Sequence, residues 1–286
     1  MRARLRPRKQ AGLLRPFNCF TVPVERRSAP LSIELFRCYC CPVDLIPLVC
    51  LPYAGAGASF FYPWDEKAMK EIEVVPIQLP GREWRIDEPP YRDVNTAVDD
   101  LFPEIAGELG GGPLMFFGHS LGAVLAYELA HRFCAAPGFD VARLIVSGSP
   151  GPWTRRARRA TGLADDDFLD RVREFAQYDA ETMQDPEVRK LVLPTLRADV
   201  EMHEEYVSGK SDPLPAPITS LRGDDDQLVS ADQAAEWAKA TNREFELIEL
   251  PGSHMYVTHS ADEIVRVARG AAAQPLKAPG QTASAG

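Results

Sequence analysis

The chain has 286 residues, 45% of them apolar and 26% charged, enough for a sizeable core in one α/β unit or two smaller domains. Its 32 basic and 41 acidic residues leave a net charge of -9, which reads against a nucleic-acid footprint. No uninterrupted apolar run approaches the ~18 residues of a membrane span.

Residues 1–30 carry Arg2, Arg4, Arg6, Arg8, Lys9, Arg15, Arg26 and Arg27, with Glu25 as the acid. A signal peptide needs an unbroken apolar stretch and a small-residue cleavage site. Here Arg15, Pro16 and Asn18 interrupt it. The expectation is a disordered basic extension ahead of a domain at 31–272. Cys38, Cys40, Cys41 and Cys50 lack the paired spacing and the nearby His of a metal site. They read as reduced thiols near the first strand of a cytoplasmic protein.

Strands and helices then alternate. The apolar run Ile46–Leu51 ends in Pro52 and a Gly-rich turn, which predicts a buried strand feeding a loop. Residues 74–79 are expected to form a second strand. Val94, Val98, Leu101, Ile105 and Leu109 have helical spacing over Val94–Leu109. A strand follows at 114–117, a helix at 121–133 and a strand at 144–147. After them come strands at 218–221 and Phe245–Leu250 with a helix at 231–240 between, and a last helix at 264–272. This order implies a mostly parallel sheet with helices on both faces. Residues 151–216 break the rhythm with helical patterns at 168–175 and 188–206 and no strand. They read as a helical insertion in which Asp165, Asp166 and Asp167 suit a helix start. The tail at 273–286 is rich in Ala, Pro, Gly, Ser and Gln, and is expected to be disordered.

Chemistry centres on Gly118-His119-Ser120-Leu121-Gly122. A strand, Gly-x-Ser-x-Gly and a helix together describe a sharp turn that exposes a serine hydroxyl above a strand end. Glycines two before and two after let the backbone turn there. The plainer reading is a chance match in a loop, which the flanking strand and helix disfavour.

A serine needs a base, and in this fold the order is Ser, Asp or Glu, then His. His119 lies inside the turn and is read as pointing away from the hydroxyl's approach. His131 sits on the following helix, His203 in the insertion, and His259 near the last helix. His254 follows a strand in the loop Pro251-Gly252-Ser253-His254, so it is the candidate base. The acid is expected after strand 218–221, in Arg222-Gly223-Asp224-Asp225-Asp226. Asp226, which precedes x-x-Val at the turn into the next helix, is selected. Asp224 and Asp225 suit turn formation. Two backbone N–H groups are needed for an oxyanion. Leu121, just after the nucleophile, and Ala54, in the loop after the first strand, are the candidates. That loop lacks both common phosphate-binding glycine patterns. The chemistry calls for no metal or cofactor.

Five stretches together resemble type II thioesterases, discrete α/β-hydrolases of polyketide and nonribosomal peptide assembly lines. They are Leu48 to Phe60 with its Pro52-Tyr53-Ala54-Gly55 turn, Gln78-Leu79-Pro80-Gly81-Arg82, Gly118 to Ala123, Leu193 to Asp199, and Pro251 to His254. The resemblance runs from about residue 35 to 272. It implies an α/β-hydrolase fold with the insertion at 151–216 as a lid. It also implies hydrolysis of acyl groups from the phosphopantetheine arm of an acyl or peptidyl carrier protein, clearing stalled or aberrant units. No nucleic-acid or membrane partner is expected, and a monomer is. Carrier proteins are acidic, so Arg155, Arg156, Arg158 and Arg159 are docking candidates, although a solvated charge run is the plainer reading. The family's loop often reads Pro-His-Ala-Gly-Gly, and here Tyr53 and Ala56 differ. Malonyl transferases share Gly-His-Ser-Leu-Gly but lack the late Asp226 and His254 pattern. A general carboxylesterase or acyl-CoA thioesterase of the same fold is the nearest alternative. A catalytically silent binding module is the alternative of another class.

Overall fold

A computed structural model describes residues 45–68, 72–155, 159–176 and 185–273. The expectations for residues 1–30, for Cys38, Cys40 and Cys41, and for 274–286 lie outside the described residues.

Six strands form one parallel sheet among the described residues. They are β1 (Ile46–Leu51), β2 (Ile72–Pro76), β3 (Gly112–His119), β4 (Phe139–Ser147), β5 (Ile218–Gly223) and β6 (Phe245–Leu250), in the spatial order β2-β1-β3-β4-β5-β6. The helices are α1 (Tyr62–Ala68), α2 (Val94–Leu109), α3 (Leu121–Ala135), α4 (Asp165–Ala176), α5 (Pro186–Glu205), α6 (Ala231–Ala235) and α7 (Ala261–Ala272). This is an α/β-hydrolase fold.

Successive side chains of a strand face opposite sides. Both sides of this sheet are apolar, so its strands read as continuous hydrophobic runs. Val49, Leu51, Phe116 and Val146 pack on one side under α2, α3 and Trp237. Leu48, Cys50, Phe117 and Ile145 pack on the other under α1 and α7. Phe116, Phe117, Trp64 and Trp237 are all fully buried, and each such side chain contributes roughly 1.5–3 kcal/mol or more.

β1 lies between β2 and β3. The chain therefore leaves β1 toward one side of the sheet and later returns on the other. The crevice beyond the C-terminal ends of β1 and β3 is a topological switch point, where open α/β sheets bind ligands.

Several boundaries differ from the expectation. β2 begins and ends earlier than 74–79. β3 and β4 extend beyond their apolar centres, because Gly112 and charged residues such as Asp140 and Arg143 still pair in the sheet. The helix expected over 231–240 is α6 followed by a 3-10 segment, Glu236–Ala240. α1 was not expected.

Between β4 and β5 lie the two helices α4 and α5. Asp165, Asp166 and Asp167 stand in the first turn of α4, where a helix dipole favours acids. Phe168, Leu169, Leu193 and Leu196 give the pair a small core of its own, against which Ala54 packs. Among the described residues, no helix is long and apolar enough to cross a membrane.

Candidate active site

β3 ends at His119 and α3 begins at Leu121, so Ser120 alone makes the turn. Its backbone sits at φ 55 and ψ -112, a conformation that costs an L-residue on the order of 1–3 kcal/mol. The Ser120 N–H donates to the Ser147 carbonyl at 2.8 Å and so ties the turn to β4. The flanking glycines are required by space. A Cβ on Gly118 would strike the Gly122 carbonyl, and one on Gly122 would strike the carbonyls of Leu51 and Pro52. Gly122 thus lets α3 lie directly on the end of β1. Leu121 opens α3, and the first N–H groups of a helix have no partner within it. The positive end of the helix dipole lies at Ser120.

The residues after β1 turn sharply. The Ala56 N–H donates to the Tyr53 carbonyl at 3.0 Å, with Gly55 at φ 82. A positive φ at the third position is what a type II turn requires. Ala54 is its second residue, half-buried under the helical segment.

β5 and β6 are neighbours, with Gly223 opposite Leu250. Their following loops are laced together. The Asp224 N–H donates to the Leu250 carbonyl at 2.8 Å, and the Asp225 N–H to the Gly252 carbonyl at 3.0 Å. Asp224 Oδ1 accepts the Gly252 N–H at 2.8 Å. This lacing brings Asp226 to His254, whose Nδ1 donates to Asp226 Oδ2 at 2.8 Å. Asp226 Oδ1 accepts from the Leu228 and Val229 N–H groups at 2.8 and 3.1 Å. Both side chains are buried. Burial alone would raise the Asp226 pKa. The hydrogen bond and charge of His254, with the two N–H groups, outweigh burial and hold it below the ordinary carboxylate value. A carboxylate on Nδ1 fixes the tautomer that leaves Nε2 basic.

The other sequence candidates lie elsewhere. Asp224 spends its carboxylate on the loop, and Asp225 accepts from the Gln227 side chain at 2.9 Å. His131 and His203 are on α3 and α5, and His259 follows the 3-10 turn His254–Thr258. Arg159 pairs with Glu204 and Glu205 of α5. Arg156 and Arg158 lie outside the described residues.

The structure also brings in residues to which sequence reasoning gave no part. The His119 ring packs 5.0 Å from that of His254. Its Nδ1 is 2.8 Å from Ser147 Oγ, which is 2.5 Å from the Tyr256 hydroxyl. This buried chain links β3, β4 and the turn carrying His254. The adjacency of His119 to Ser120 was the available signal, but the partners are distant in sequence.

The thioesterase domain family model matches residues 46–271. The chain belongs to the thioesterase family. The gramicidin S biosynthesis protein GrsT of Aneurinibacillus migulanus is 36% identical over 219 residues, covering 76% of this chain and 85% of that protein. Thioesterase PikA5 of Streptomyces venezuelae is 34% identical over 239 residues, covering 82% and 85%. Among solved structures, the type II thioesterase BorB from the borrelidin biosynthetic cluster superposes with a TM-score of 0.73 at 32% identity, over 80% of this chain and 93% of that one. The match spans the Ser120 turn, the Ala54 turn and the Asp226–His254 pair alike.

Proposed function

We propose that the protein is an editing thioesterase. It removes aberrant or stalled acyl groups from the phosphopantetheine arm of acyl or peptidyl carrier proteins in polyketide or nonribosomal peptide synthesis, acting in the cytoplasm. The observation that carries the catalytic reading is the His254–Asp226 contact at 2.8 Å, on the same sheet edge as Ser120. The gramicidin S biosynthesis protein and the type II thioesterase of the borrelidin biosynthetic cluster named above support this reading.

In this reading Ser120 is the nucleophile. His254 Nε2 takes the hydroxyl proton as Oγ attacks the thioester carbonyl. Asp226 keeps the imidazole oriented and stabilises the imidazolium. The Leu121 and Ala54 N–H groups receive the developing oxyanion, and loss of one such donor costs roughly 3–4 kcal/mol. The carbon–sulfur bond breaks, and the pantetheine sulfur takes the proton from His254. Water then attacks the acyl-serine ester, again giving its proton to His254, and the acid leaves as Ser120 is restored. The α4–α5 segment serves as the lid over the acyl group.

The test follows acyl-loaded carrier protein by intact mass. Wild type should return the free phosphopantetheine form, and Ser120→Ala should leave the acyl form intact. Equal loss of acyl groups with both would contradict the reading.

A further inference from the structure

Four side chains hold the turn that carries Ala54 and the 3-10 segment after it, Ala58–Phe61. Asp199 Oδ2 accepts the Gly55 N–H at 2.8 Å. Arg82 Nη1 donates to the Ala56 carbonyl at 3.0 Å. Gln78 Oε1 accepts the Ala58 N–H at 3.0 Å. Glu83, at φ 49, accepts the Ser59 N–H at 3.3 Å and its hydroxyl at 2.6 Å. Three of the four come from one short segment after β2, and the fourth comes from α5.

Arg82 and Asp199 also grip each other. Nη1 meets Oδ2 at 2.6 Å and Nη2 meets Oδ1 at 2.8 Å. The side chains are 8% and 1% exposed. Stability alone is a weak reason for such a pair, because a buried ion pair roughly breaks even against apolar residues of the same shape. What an apolar pair cannot do is bond the turn's backbone at Gly55 and Ala56, directly after Ala54. α5 reinforces the contact: Thr195 Oγ1 donates to the Gly81 carbonyl at 2.8 Å, and Leu196 packs on Gly55.

We propose that Asp199 and Arg82 are positioning residues that set the Ala54 N–H for the oxyanion and couple its placement to the seating of α5. When α5 is docked, Asp199 fixes Gly55, and the neighbouring N–H is aimed. When α5 lifts, the turn loses its acceptor and the donor loses its aim. Misplacement by about 1 Å is enough to slow an enzyme ~100-fold. This inference rests on the reading of Ser120 as a nucleophile with Ala54 as an oxyanion donor.

The test uses three variants of the full chain. Asp199→Asn keeps the side chain's shape. Arg82→Lys keeps the cation. Arg82→Met combined with Asp199→Leu replaces the pair by packing. Each is assayed on a nitrophenyl ester, per active site titrated with a fluorophosphonate, and for inhibition by an alkyl boronic acid, whose tetrahedral adduct occupies the oxyanion position. Thermal unfolding reports the fold.

The expected result is a kcat lower by about 10–100-fold with KM little changed, and a boronate Ki weakened by a similar factor. The apolar pair should recover stability without recovering kcat. Wild-type kcat and Ki in any folded variant would overturn the proposal, as would recovery of both in the apolar pair. Failure of all three variants to fold would overturn it too, since the pair would then serve the fold alone. Ser120→Ala separates this failure from failure of the functional reading: if it hydrolyses the ester as wild type does, the reading of Ser120 is what fails.

Discussion

Asp226 holds His254 by one carboxylate oxygen while its other oxygen is held by two backbone N–H groups. The carboxylate is therefore held on both of its oxygens, by the imidazole on one and by backbone on the other. Asp225 is exposed and bonds the Gln227 side chain instead. Asp226→Asn should lower kcat on the order of 10⁴-fold, as loss of the correct tautomer does in other serine hydrolases. Asp225→Asn should leave kcat close to wild type. Steady-state hydrolysis of one ester by both variants checks this, and the reverse order would move the acid by one residue.

The same carboxylate makes stability depend on acid pH. Its folded pKa lies below the ordinary 3.8, so the unfolded chain binds the extra proton first. Stability then rises with pH across that window. The contribution is fully present above the unfolded value and is lost as pH falls through the folded one. Urea unfolding between about pH 5 and pH 2 should show a steeper loss for wild type than for Asp226→Asn. Parallel losses would contradict the shift.

Gly122 and Gly107 should respond to alanine with opposite signs. Gly to Ala within a helix ordinarily stabilises by about 0.5–1 kcal/mol. A Cβ at the exposed Gly107 of α2 meets nothing within 4 Å, so Gly107→Ala should gain that amount. At Gly122 the new atom meets backbone carbonyls of β1 and its loop. Gly122→Ala should lose roughly 1–3 kcal/mol or more, and lower kcat by pushing the Ser120 turn from the Ala54 turn. Chemical denaturation of both variants decides it, and stabilisation of Gly122→Ala would refute the close approach.

Tyr256→Phe removes one end of the His119–Ser147–Tyr256 chain. Ser147 keeps its bond to His119, so the cost should be about 1 kcal/mol, the net worth of one hydrogen bond. The kcat should fall far less than in Asp226→Asn. A fall as deep in the folded variant would give Tyr256 a place in the chemistry.

Much of this molecule was legible in its residues, for local reasons. α2 has its expected bounds because Asp93 caps its start, Gly110 adopts the left-handed conformation at its end, and its apolar residues recur at helical spacing. β1 and β6 likewise coincide with their expected spans. α1 escaped notice because Tyr62–Ala68 is short, begins Tyr-Pro, and buries only Trp64 and Ala68. Asp226 and His254 were reachable from loop position after strands that prove adjacent. The Arg82–Asp199 pair was not. Both residues lay in motifs that resembled a family, yet they stand 117 positions apart, and nothing local says that one lies on the other. The His119 chain was hidden in the same way.

Ser120-dependent release of acyl groups from a carrier protein is the core of the proposed function. The most direct test compares one acyl group on three carriers: a phosphopantetheinylated carrier protein, coenzyme A and a simple oxygen ester, with Ser120→Ala as control. The kcat/KM should be highest for the carrier protein and lost in Ser120→Ala. Equal or faster turnover of the simple ester would contradict the editing role, and turnover unchanged in Ser120→Ala would contradict the nucleophile.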